Sequence, residues 1–485
     1  MIFIQSFIPH FAAASILYFF FVNSIYLFLL IMSGISLHKQ AQLRLVRPSL
    51  KRAVRSFAPS ISILAPAYNE EATVVESVKS FMMLNYPSFE VIVINDGSKD
   101  GTLKRLIEAF ALEPAEMHSD AVLSQTPIVG TYRSKWHPNL VVIDKANGGK
   151  ADALNVGIGF SKYELFCAVD SDSILESDAL LNVAEPFMEK PESVIASGGT
   201  VRIANGARVR FGRVESVSIK PNFWVIMQII EYTRAFLCGR IGWNSMNATL
   251  VISGAFGLFS KRAAVAVNGY SRGCIGEDME LIIRLHKHHR REKIPYSIVF
   301  VPDPVCWTEA PETRVDLGKQ RDRWQRGLAD TLLRNKEMMF NPRYGVVGLV
   351  ALPFFLFAEL LGPLFEVASF GFIGLSFIIG GLNLQLLWIF LAASVLYGAV
   401  LSMTAVLIEE FYFSKYNRAS QFLALFGVCL IESVWYKQVS TYWRIQGLWK
   451  FVRGDRTWGH LNRLGFNSGK VLPAIKVVDK TDRVA

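Results

Sequence analysis

The stretch E-V-I-V-I-N-D-G-S-K-D-G-T at residues 90–102 decides the fold of this 485-residue chain. Its apolar part, Glu90–Ile94, is short and β-branched, which is typical of a buried strand. Asn95-Asp96-Gly97 ends the strand with turn residues, and a helix is predicted directly afterwards over Asp100–Ala111. A buried strand that ends in a polar turn and leads into a helix is the building unit of a parallel sheet.

The same alternation of strand and helix recurs on both sides of this stretch. Further strands are predicted over Ser60–Leu64, Leu140–Ile143 and Glu164–Val169, with helices over Glu70–Leu84 and Gly149–Phe160. We therefore expect residues 58–340 to form one α/β domain, with a mixed, mainly parallel sheet covered by helices. Ligands of such sheets bind at the carboxyl ends of the strands, so the residues that follow each strand are candidates for a site.

Polar residues follow each of these predicted strands. They are Pro66-Ala67-Tyr68-Asn69-Glu70, Asn95–Gly101, Asp144–Lys150 and Asp170-Ser171-Asp172. Each group alone has an ordinary explanation as a turn, a helix start or a helix cap. Their order on successive strands predicts that they converge on one site.

The residue types at this site indicate a phosphorylated ligand. Asp170 and Asp172, at alternate positions, can hold Mg²⁺ or Mn²⁺ together with water and phosphate oxygens. Glycines in Asn147–Gly149 permit close backbone approach, Lys150 can reach a phosphate, and Asp96 can accept a hydrogen bond from a base or ribose. The sequence has neither G-x-x-x-x-G-K-[ST] nor a G-x-G-x-x-G after a strand, which disfavours a P-loop NTPase and a dinucleotide oxidoreductase.

Two later motifs add candidates. Asp278 precedes or opens a helix predicted from Met279 to about His288, where it serves either as a helix cap or as a general base. Gln320, Arg323 and Trp324 are spaced to share one helix face. Arg323 can clamp a diphosphate and Trp324 can stack on a sugar, although a surface helix joined by salt bridges is the alternative.

Composition places part of the chain in lipid. Hydrophobic residues make up 51% and charged residues 19%, which excludes intrinsic disorder. Residues 1–36 carry no Lys, Arg, Asp or Glu, and Phe11–Met32 is long enough to cross a bilayer. Basic residues over 37–57 then predict a cytoplasmic linker and an outward-facing N-terminus. The net charge of +10 thus belongs beside membrane segments rather than to a nucleic-acid site.

A second apolar region, residues 341–436, has breaks that predict about four helices, and hence five crossings in total. The first of these helices could instead lie at the membrane interface. Glu359 and Glu366 fall on one helical face, either along a translocation path or near the interface. The basic tail 437–485 is expected in the cytoplasm. The run H-K-H-H-R-R at 286–291 is interpreted as a solvated helix end, and the five cysteines as small buried residues.

The chain resembles the membrane-bound, processive family 2 glycosyltransferases, the synthases of cellulose, hyaluronan, chitin and poly-N-acetylglucosamine. The resemblance covers about residues 50–340 and the flanking membrane helices. Its carriers are P-A-Y-N-E (66–70), N-D-G-S-K-D-G-T (95–102), N-G-G-K-A (147–151), D-S-D (170–172), G-E-D (276–278) and Q-R-D-R-W (320–324), the last matching the family's Q-x-x-R-W.

The resemblance implies a GT-A-type domain on the cytoplasmic side of the cell membrane and an inverting transfer from a UDP-sugar to a growing polysaccharide. It places a role on each matching residue. Ala67, Tyr68, Glu70, Asp96, Lys150 and Asp170 would contact the nucleotide-sugar, Asp172 the metal, and Glu277, Gln320, Arg323 and Trp324 the acceptor or diphosphate, with Asp278 as the base. Implied partners are the UDP-sugar, the polysaccharide, the bilayer and accessory export or modifying proteins.

Some features depart from the cellulose synthases. G-E-D replaces their T-E-D, and no R-x-x-x-R module for a cyclic dinucleotide follows the membrane part. N-G-G-K-A and the short tail are nearer to the poly-N-acetylglucosamine and hyaluronan synthases. Transfer of one sugar to a lipid such as polyprenyl phosphate or diacylglycerol is an alternative that uses the same donor site. A transporter or receptor with a cytoplasmic nucleotide-binding domain is another, and it would bind a nucleotide without turnover.

Overall fold

The computed structural model describes residues 2–44, 57–119, 123–210, 213–216, 222–413, 419–455 and 457. They fall into two compact units. The helical unit is drawn from the described residues within Met1–Leu45, Met227–Ala248 and Thr313–His460, and the sheet unit from those within Val46–Ile226 and Thr249–Glu312. The domain boundaries given above, with residues 58–340 as one block, remain a prediction.

The sheet unit contains a ten-stranded sheet in the order β3-β4-β5-β2-β1-β6-β11-β8-β12-β7, and β9 and β10 form a separate ribbon. The strands are β1 Ile61–Ala67, β2 Phe89–Asp96, β3 Leu112–Pro114, β4 Ile128–Ser134, β5 Leu140–Lys145, β6 Leu165–Val169, β7 Ser173–Leu175, β8 Val194–Ile203, β9 Arg208–Arg210, β10 Arg213–Ser216, β11 Phe256–Ser260 and β12 Ser297–Thr308. The central strands β5, β2, β1 and β6 are mutually parallel, which confirms the mixed, mainly parallel sheet and its four predicted strands.

Strand β11 was not predicted, and it runs antiparallel between β6 and β8. Its position brings the turn at Gly254-Ala255 beside the end of β6, where the backbone N–H of Asp170 donates to the carbonyl of Ala255 at 3.3 Å. A strand from a distant part of the chain therefore completes the edge of the sheet at which the predicted site lies.

Helices cover the sheet and bury its apolar side chains. They are Val74–Met82, Thr102–Phe110, Lys150–Phe160, Ala179–Glu189, Lys261–Ala266 and Glu277–Arg291. Leu64 and Ile94 are fully buried beneath the helix Lys150–Phe160, and a Cβ atom at Gly157 would lie 3.0 Å from Ile94 Cδ1. Burial of such side chains contributes about 1.5–3 kcal/mol each. The glycine thus lets this helix, which begins at Lys150, lie close to the central strands.

The histidine run was interpreted wrongly for two of its members. His286 and His289 are buried on the inner face of the helix Glu277–Arg291. His286 contacts the carbonyl of Thr249 at 2.9 Å through Nε2 and the hydroxyl of Tyr296 at 2.6 Å through Nδ1. The helix places them inward because they fall at i+4 and i+7 from buried Ile282. The burial of Cys167, Cys274, Cys306 and Cys429 is confirmed.

The helical unit is built almost entirely of helices. They are Ile2–Arg44, Arg240–Asn244, Arg314–Arg334, Leu352–Phe354, Gly362–Ile378, Leu384–Leu391, Tyr397–Phe413, Ala419–Ile431 and Lys437–Val452, and the helix Phe223–Tyr232 enters this unit at Met227. Wider π-helical turns occupy Thr233–Gly239, Val347–Ala351, Phe355–Leu360, Ala392–Leu396 and Glu432–Tyr436, and short 3₁₀ turns lie at Lys336–Met338 and Pro342–Tyr344.

Among the described residues, Pro9–Gln42 and Leu384–Phe413 are long and apolar enough to cross a membrane. Val347–Leu360 and Gly362–Ile378 together form a further, bent candidate with an angle of 44° between its two parts. Five crossings, and the cytoplasmic side of the linker, the sheet unit and the tail, remain predictions. Residues 45–56 of the linker, and residues 456 and 458–485 of the tail, lie outside the described residues.

Glu359 and Glu366 both accept hydrogen bonds from the helix Lys437–Val452. Arg444 donates to Glu359 at 3.2 Å, and Thr441 donates to Glu366 at 2.8 Å. Tyr26 also donates to Glu359. Carboxylates within an apolar unit are costly unless they have such partners, so these contacts explain how both are accommodated.

Candidate active site

The loop after β1 is tied to the loop after β2. The backbone N–H of Lys99 donates to Oδ1 of Asn69 at 2.8 Å, and the N–H of Glu70 donates to Thr102 Oγ1 at 2.9 Å. Asn69 adopts a φ of +55°, a left-handed conformation that asparagine tolerates better than most residues. The loops after two adjacent parallel strands are thus held as one surface.

The predicted nucleotide contacts on the first loop differ in exposure. Ala67 is the fully buried last residue of β1, whereas 37% of Tyr68 is exposed. The carboxylate of Glu70 accepts a hydrogen bond from Thr73 Oγ1 at 2.8 Å, which fixes it at the start of the next helix. Tyr68 is therefore the accessible side chain of the three, and the roles of all three remain predictions.

Asp96 is buried, and its carboxylate holds the loop that follows β5. The backbone N–H groups of Gly148 and Gly149 donate to its two oxygens at 3.0 and 2.8 Å. Asn147 Nδ2 donates to the carbonyl of Asp96 at 2.7 Å. A Cβ atom at Gly97, whose φ is +67°, would lie 2.7 Å from the backbone nitrogen of Asn147. The glycines therefore permit a close approach of two loops, and Asp96 clamps them.

Lys145, which the sequence analysis did not single out, joins this clamp to a second carboxylate. Its fully buried Nζ donates to Asp96 and lies 2.9 Å from Oδ2 of Asp152. Arg272 Nε lies 2.7 Å from the other oxygen of Asp152. Burial alone would raise the pKa of Asp152, but hydrogen bonds from Thr126, Lys145 and Ser124 lower it on balance. The only signal for Lys145 was its place in the polar run D-K-A-N-G-G-K.

Lys150, at the start of its helix, reaches the end of β6. Its Nζ donates to Asp170 Oδ1 at 2.5 Å and to the carbonyl of Gly254 at 3.1 Å, and lies 3.8 Å from Glu277 Oε1. Burial lowers the pKa of Lys150, but Asp170, Glu277 and Asp278 outweigh this effect and raise it above its usual value. Lys150 therefore remains a cation at the center of these carboxylates.

Asp278 belongs to the same group of side chains. A Cβ atom at Gly254 would lie 3.0 Å from Asp278 Oδ2 and 3.4 Å from Lys150 Nζ. Gly276 occupies the N-cap position, but Oδ1 of Asp278 accepts from the N–H of Met279 at 2.8 Å, so this side chain also stabilises the first turn of the helix. Burial is the largest cause of the raised pKa of nearby Tyr270, and the negative charges of Asp278 and Glu277 raise this pKa further.

Asp170 and Asp172 suit a hard divalent cation. Asp172 is almost fully buried, with 2% exposed, and Asp170 is partly exposed. Among the described residues, no group of three or more His, Cys, Asp or Glu side chains is placed to hold a metal. Mg²⁺ commonly takes one or two carboxylates and completes its shell with water and substrate phosphates. Two carboxylates at the end of β6 therefore fit a cation shared with a diphosphate.

The Q-R-D-R-W motif lies on the helix Arg314–Arg334 of the helical unit. Trp324 is 43% exposed, and Gln320 and Arg323 are half-buried. Sequence reasoning missed Arg321, which is buried and contacts both Gln320 and Trp324, and its partner Glu231. A carboxylate within the apolar run 223–238 was the signal for Glu231.

The predicted site residues thus form two groups. In the sheet unit, Lys150, Asp170, Glu277 and Asp278 meet around Gly254. Gln320, Arg323 and Trp324 belong to the helical unit. In the first group, the Lys150 cation can attract a negatively charged phosphorylated ligand. A carboxylate of the same group can accept a proton from a reacting hydroxyl.

Comparison with known sequences places this arrangement in context. A family model described as "Glycosyltransferase like family 2" matches residues 58–327. A poly-beta-1,6-N-acetyl-D-glucosamine synthase of Staphylococcus epidermidis is 32% identical over 275 residues, covering 57% of this chain and 56% of the relative. The corresponding synthase of Staphylococcus aureus strain COL is 30% identical over 276 residues, with the same coverage. The chain thus spans little more than half the length of these relatives.

Solved structures that match part of this backbone include a mannosyltransferase and a fragment of TarS. The mannosyltransferase PcManGT of Pyrobaculum calidifontis, in complex with GDP-Man and Mn²⁺, is 15% identical, with a TM-score of 0.45 over 89% of this chain and 99% of its own. Residues 1–349 of Staphylococcus aureus TarS, in complex with UDP, are 15% identical, with a TM-score of 0.37 over 82% of this chain and 92% of that chain.

Proposed function

Because this chain belongs to the glycosyltransferase-like family 2, we propose that it transfers N-acetylglucosamine from UDP-N-acetylglucosamine to a growing β-linked polysaccharide, with inversion at the anomeric carbon. The observation that carries the proposal is the meeting of Lys150, Asp170, Glu277 and Asp278 around Gly254, at the carboxyl edge of the sheet. The two synthases similar in sequence support the choice of sugar.

The donor would bind at the ends of β1, β2 and β6. The exposed Tyr68 would lie beside the nucleotide, and Asp96 fixes the loop Asn147–Gly149 through two backbone N–H groups. Asp170 and Asp172 would hold Mg²⁺ or Mn²⁺, which would supply positive charge to the diphosphate. Lys150, which stays protonated, adds a second positive charge that stabilises UDP as it leaves.

Asp278 would act as the general base. Its carboxylate takes the proton of the acceptor hydroxyl while that oxygen attacks the anomeric carbon from the side opposite UDP. A carbon–oxygen bond to the acceptor forms as the bond to the diphosphate oxygen breaks, and UDP departs with the bonding electrons. One displacement turns an α-linked donor into a β-glycoside, so no covalent enzyme intermediate is required.

Gln320, Arg323 and Trp324 would bind the acceptor end of the polymer, and the growing chain would pass into the membrane through the helical unit. Their place in that unit, together with long apolar helices, supports this assignment. A cytoplasmic catalytic domain, a multi-pass anchor in the cell membrane and accessory export or modifying proteins complete the proposal.

The test uses the full chain, purified in detergent, with a panel of UDP-sugars and either Mg²⁺ or Mn²⁺. Released UDP and the size of the labelled product are both measured, with Asp278→Asn as the inactive control. UDP release with UDP-N-acetylglucosamine and a ladder of long chains supports the proposal. A single-sugar product that extracts into organic solvent shows a lipid acceptor instead, and binding without UDP release contradicts an enzyme.

A further inference from the structure

Arg321, at the second position of Q-R-D-R-W, is almost fully buried, with 2% exposed. Its Nη1 donates to Gln320 Oε1 at 2.6 Å, and its Nη2 donates to Glu231 Oε2 at 2.5 Å. Its guanidinium carbon lies 4.2 Å from the centre of the Trp324 ring. One side chain therefore contacts two of the three residues to which the acceptor is assigned.

The contact with Gln320 determines the orientation of its carboxamide. A guanidinium only donates hydrogen bonds, so the atom of Gln320 that faces Arg321 must be its oxygen. The NH₂ group of Gln320 is consequently on the other side of the carboxamide, as a donor. A sugar hydroxyl or an acetamido oxygen is a suitable acceptor for that group.

The contact with Trp324 fixes the indole. The guanidinium stacks near the ring at a distance typical of a cation–π interaction, and the ring of Tyr232 lies 6.3 Å away. Trp324 nevertheless remains 43% exposed. An aromatic ring that is held from one side and exposed elsewhere is suited to the apolar face of a pyranose.

Glu231 anchors Arg321. Its carboxylate accepts from Arg321 and, at 2.8 Å, from the hydroxyl of Tyr436. Loss of one member of a buried charge pair leaves the other charge uncompensated, so a buried guanidinium needs this partner. Glu231 lies on a different helix from Arg321. The Q-R-D-R-W motif is therefore held in place by a residue that does not belong to it.

We propose that Arg321 and Glu231 are positioning residues that orient Gln320 and Trp324 toward the end of a carbohydrate acceptor. This inference rests on the proposed function, because it concerns the acceptor of the same transfer.

The test measures UDP release, product length and melting temperature in the full-length wild type and in Arg321→Lys, Glu231→Gln and Trp324→Ala. Lysine keeps the charge but lacks the planar fork, so one ammonium cannot make all three contacts. We expect kcat to fall at least tenfold and chains to shorten in Arg321→Lys, while the KM for the UDP-sugar changes less than twofold. Glu231→Gln, which retains an acceptor for Tyr436, should show the same pattern more weakly.

A double variant separates positioning from general loosening. Because Arg321 acts in part through Trp324, the combined defect of Arg321→Lys and Trp324→Ala should be clearly smaller than the product of the two single defects. Lys319→Gln is the matched control, since Lys319 precedes Gln320 on the same helix and forms a partly exposed pair with Asp316 at 3.2 Å. It should behave as the wild type.

Wild-type chain length in both Arg321→Lys and Glu231→Gln would overturn the inference while leaving the proposed function intact. So would a defect that raises the donor KM in proportion to the loss of kcat, or one that multiplies fully with Trp324→Ala. Absence of transfer by the wild type with every UDP-sugar would instead contradict the proposed function, and the positioning role would fall with it.

Discussion

Lys150 and Asp170 form an ion pair of 2.5 Å, between the helix that follows β5 and the residue that follows β6. These two strands are separated in the sheet by β2 and β1, and the helix Lys150–Phe160, which packs on Ile94 and Leu64 of those strands, carries Lys150 to the end of β6. The same Asp170 carboxylate is assigned to the metal and the diphosphate. Lys150 therefore holds this carboxylate at the carboxyl edge of the sheet.

Removal of the Lys150 charge should weaken donor binding. In Lys150→Gln, the diphosphate loses a cation and Asp170 loses its partner. A charge-assisted hydrogen bond contributes roughly 1.5–3 kcal/mol. We therefore expect the KM for the UDP-sugar to rise at least about tenfold. Lys162→Gln, which breaks a more exposed contact of 3.7 Å with Glu90, is the control. An unchanged KM in Lys150→Gln would contradict the role.

Asp278→Asn should separate binding from turnover. Asparagine can still accept the hydrogen bond from Met279 N–H, so the start of the helix Glu277–Arg291 should be preserved. Loss of the base should lower kcat by about 10²–10⁴-fold. Calorimetric titration with UDP should give an affinity close to that of the wild type, and substantial turnover in the variant would show that another group takes the proton.

Asp172→Asn should change the response to metal. An amide is a weaker ligand for a hard cation than a carboxylate, so saturation should need a higher concentration of Mn²⁺ or Mg²⁺. The measurement is UDP release over a metal titration, with Asp303→Asn, a substitution on β12, as the control. Identical metal curves for wild type and Asp172→Asn would remove Asp172 from the ligand set.

Lys145→Met should destabilise the sheet unit. The substitution leaves Asp96 and Asp152 buried without their shared cation, and loss of one partner of a buried ion pair typically costs about 3–5 kcal/mol. Thermal unfolding followed by a sheet-specific signal should show a lower melting temperature than the wild type. Lys162→Met provides the comparison at a half-exposed lysine, and equal melting temperatures for the two variants would refute the clamp.

Acid should destabilise the fold through His286. Burial lowers the pKa of His286 from its ordinary 6.5 to about 4. Between these values the unfolded chain binds a proton that the folded chain does not, so stability is present above pH 6.5 and declines as the pH falls toward 4, by up to roughly 3 kcal/mol. His286→Gln should flatten this part of the pH–stability curve. A wild-type slope in the variant would exclude His286 as the source.

The sequence predicted the central part of the sheet because its signals are local. The four parallel strands have β-branched runs and polar ends, and the helices that follow β1 and β2 bury one face. Strand β11 was missed because its place depends on pairing with β6 and β8, which are far away in sequence.

The motifs predicted that these polar residues lie near the ends of strands, but not which other groups of the protein they contact. Asp96 is engaged by Lys145 and two backbone N–H groups, which no spacing rule reveals. Arg321 lies between two motif residues. It was not predicted as a site residue because it occupies a variable position of Q-x-x-R-W. Burial of His286 likewise depended on the tertiary face that its helix presents to the core.

The assignment of the Q-R-D-R-W helix to the helical unit, apart from Asp278 in the sheet unit, has an evolutionary consequence. A recombination that exchanged residues 249–312 between two relatives would transplant Asp278 and Gly254, while Gln320 and Trp324 would stay with the resident helical unit. The residue proposed as the base and the residues proposed to bind the acceptor could thus be inherited separately. Chimeras cut at Thr249 and Thr313 offer a practical way to combine the two.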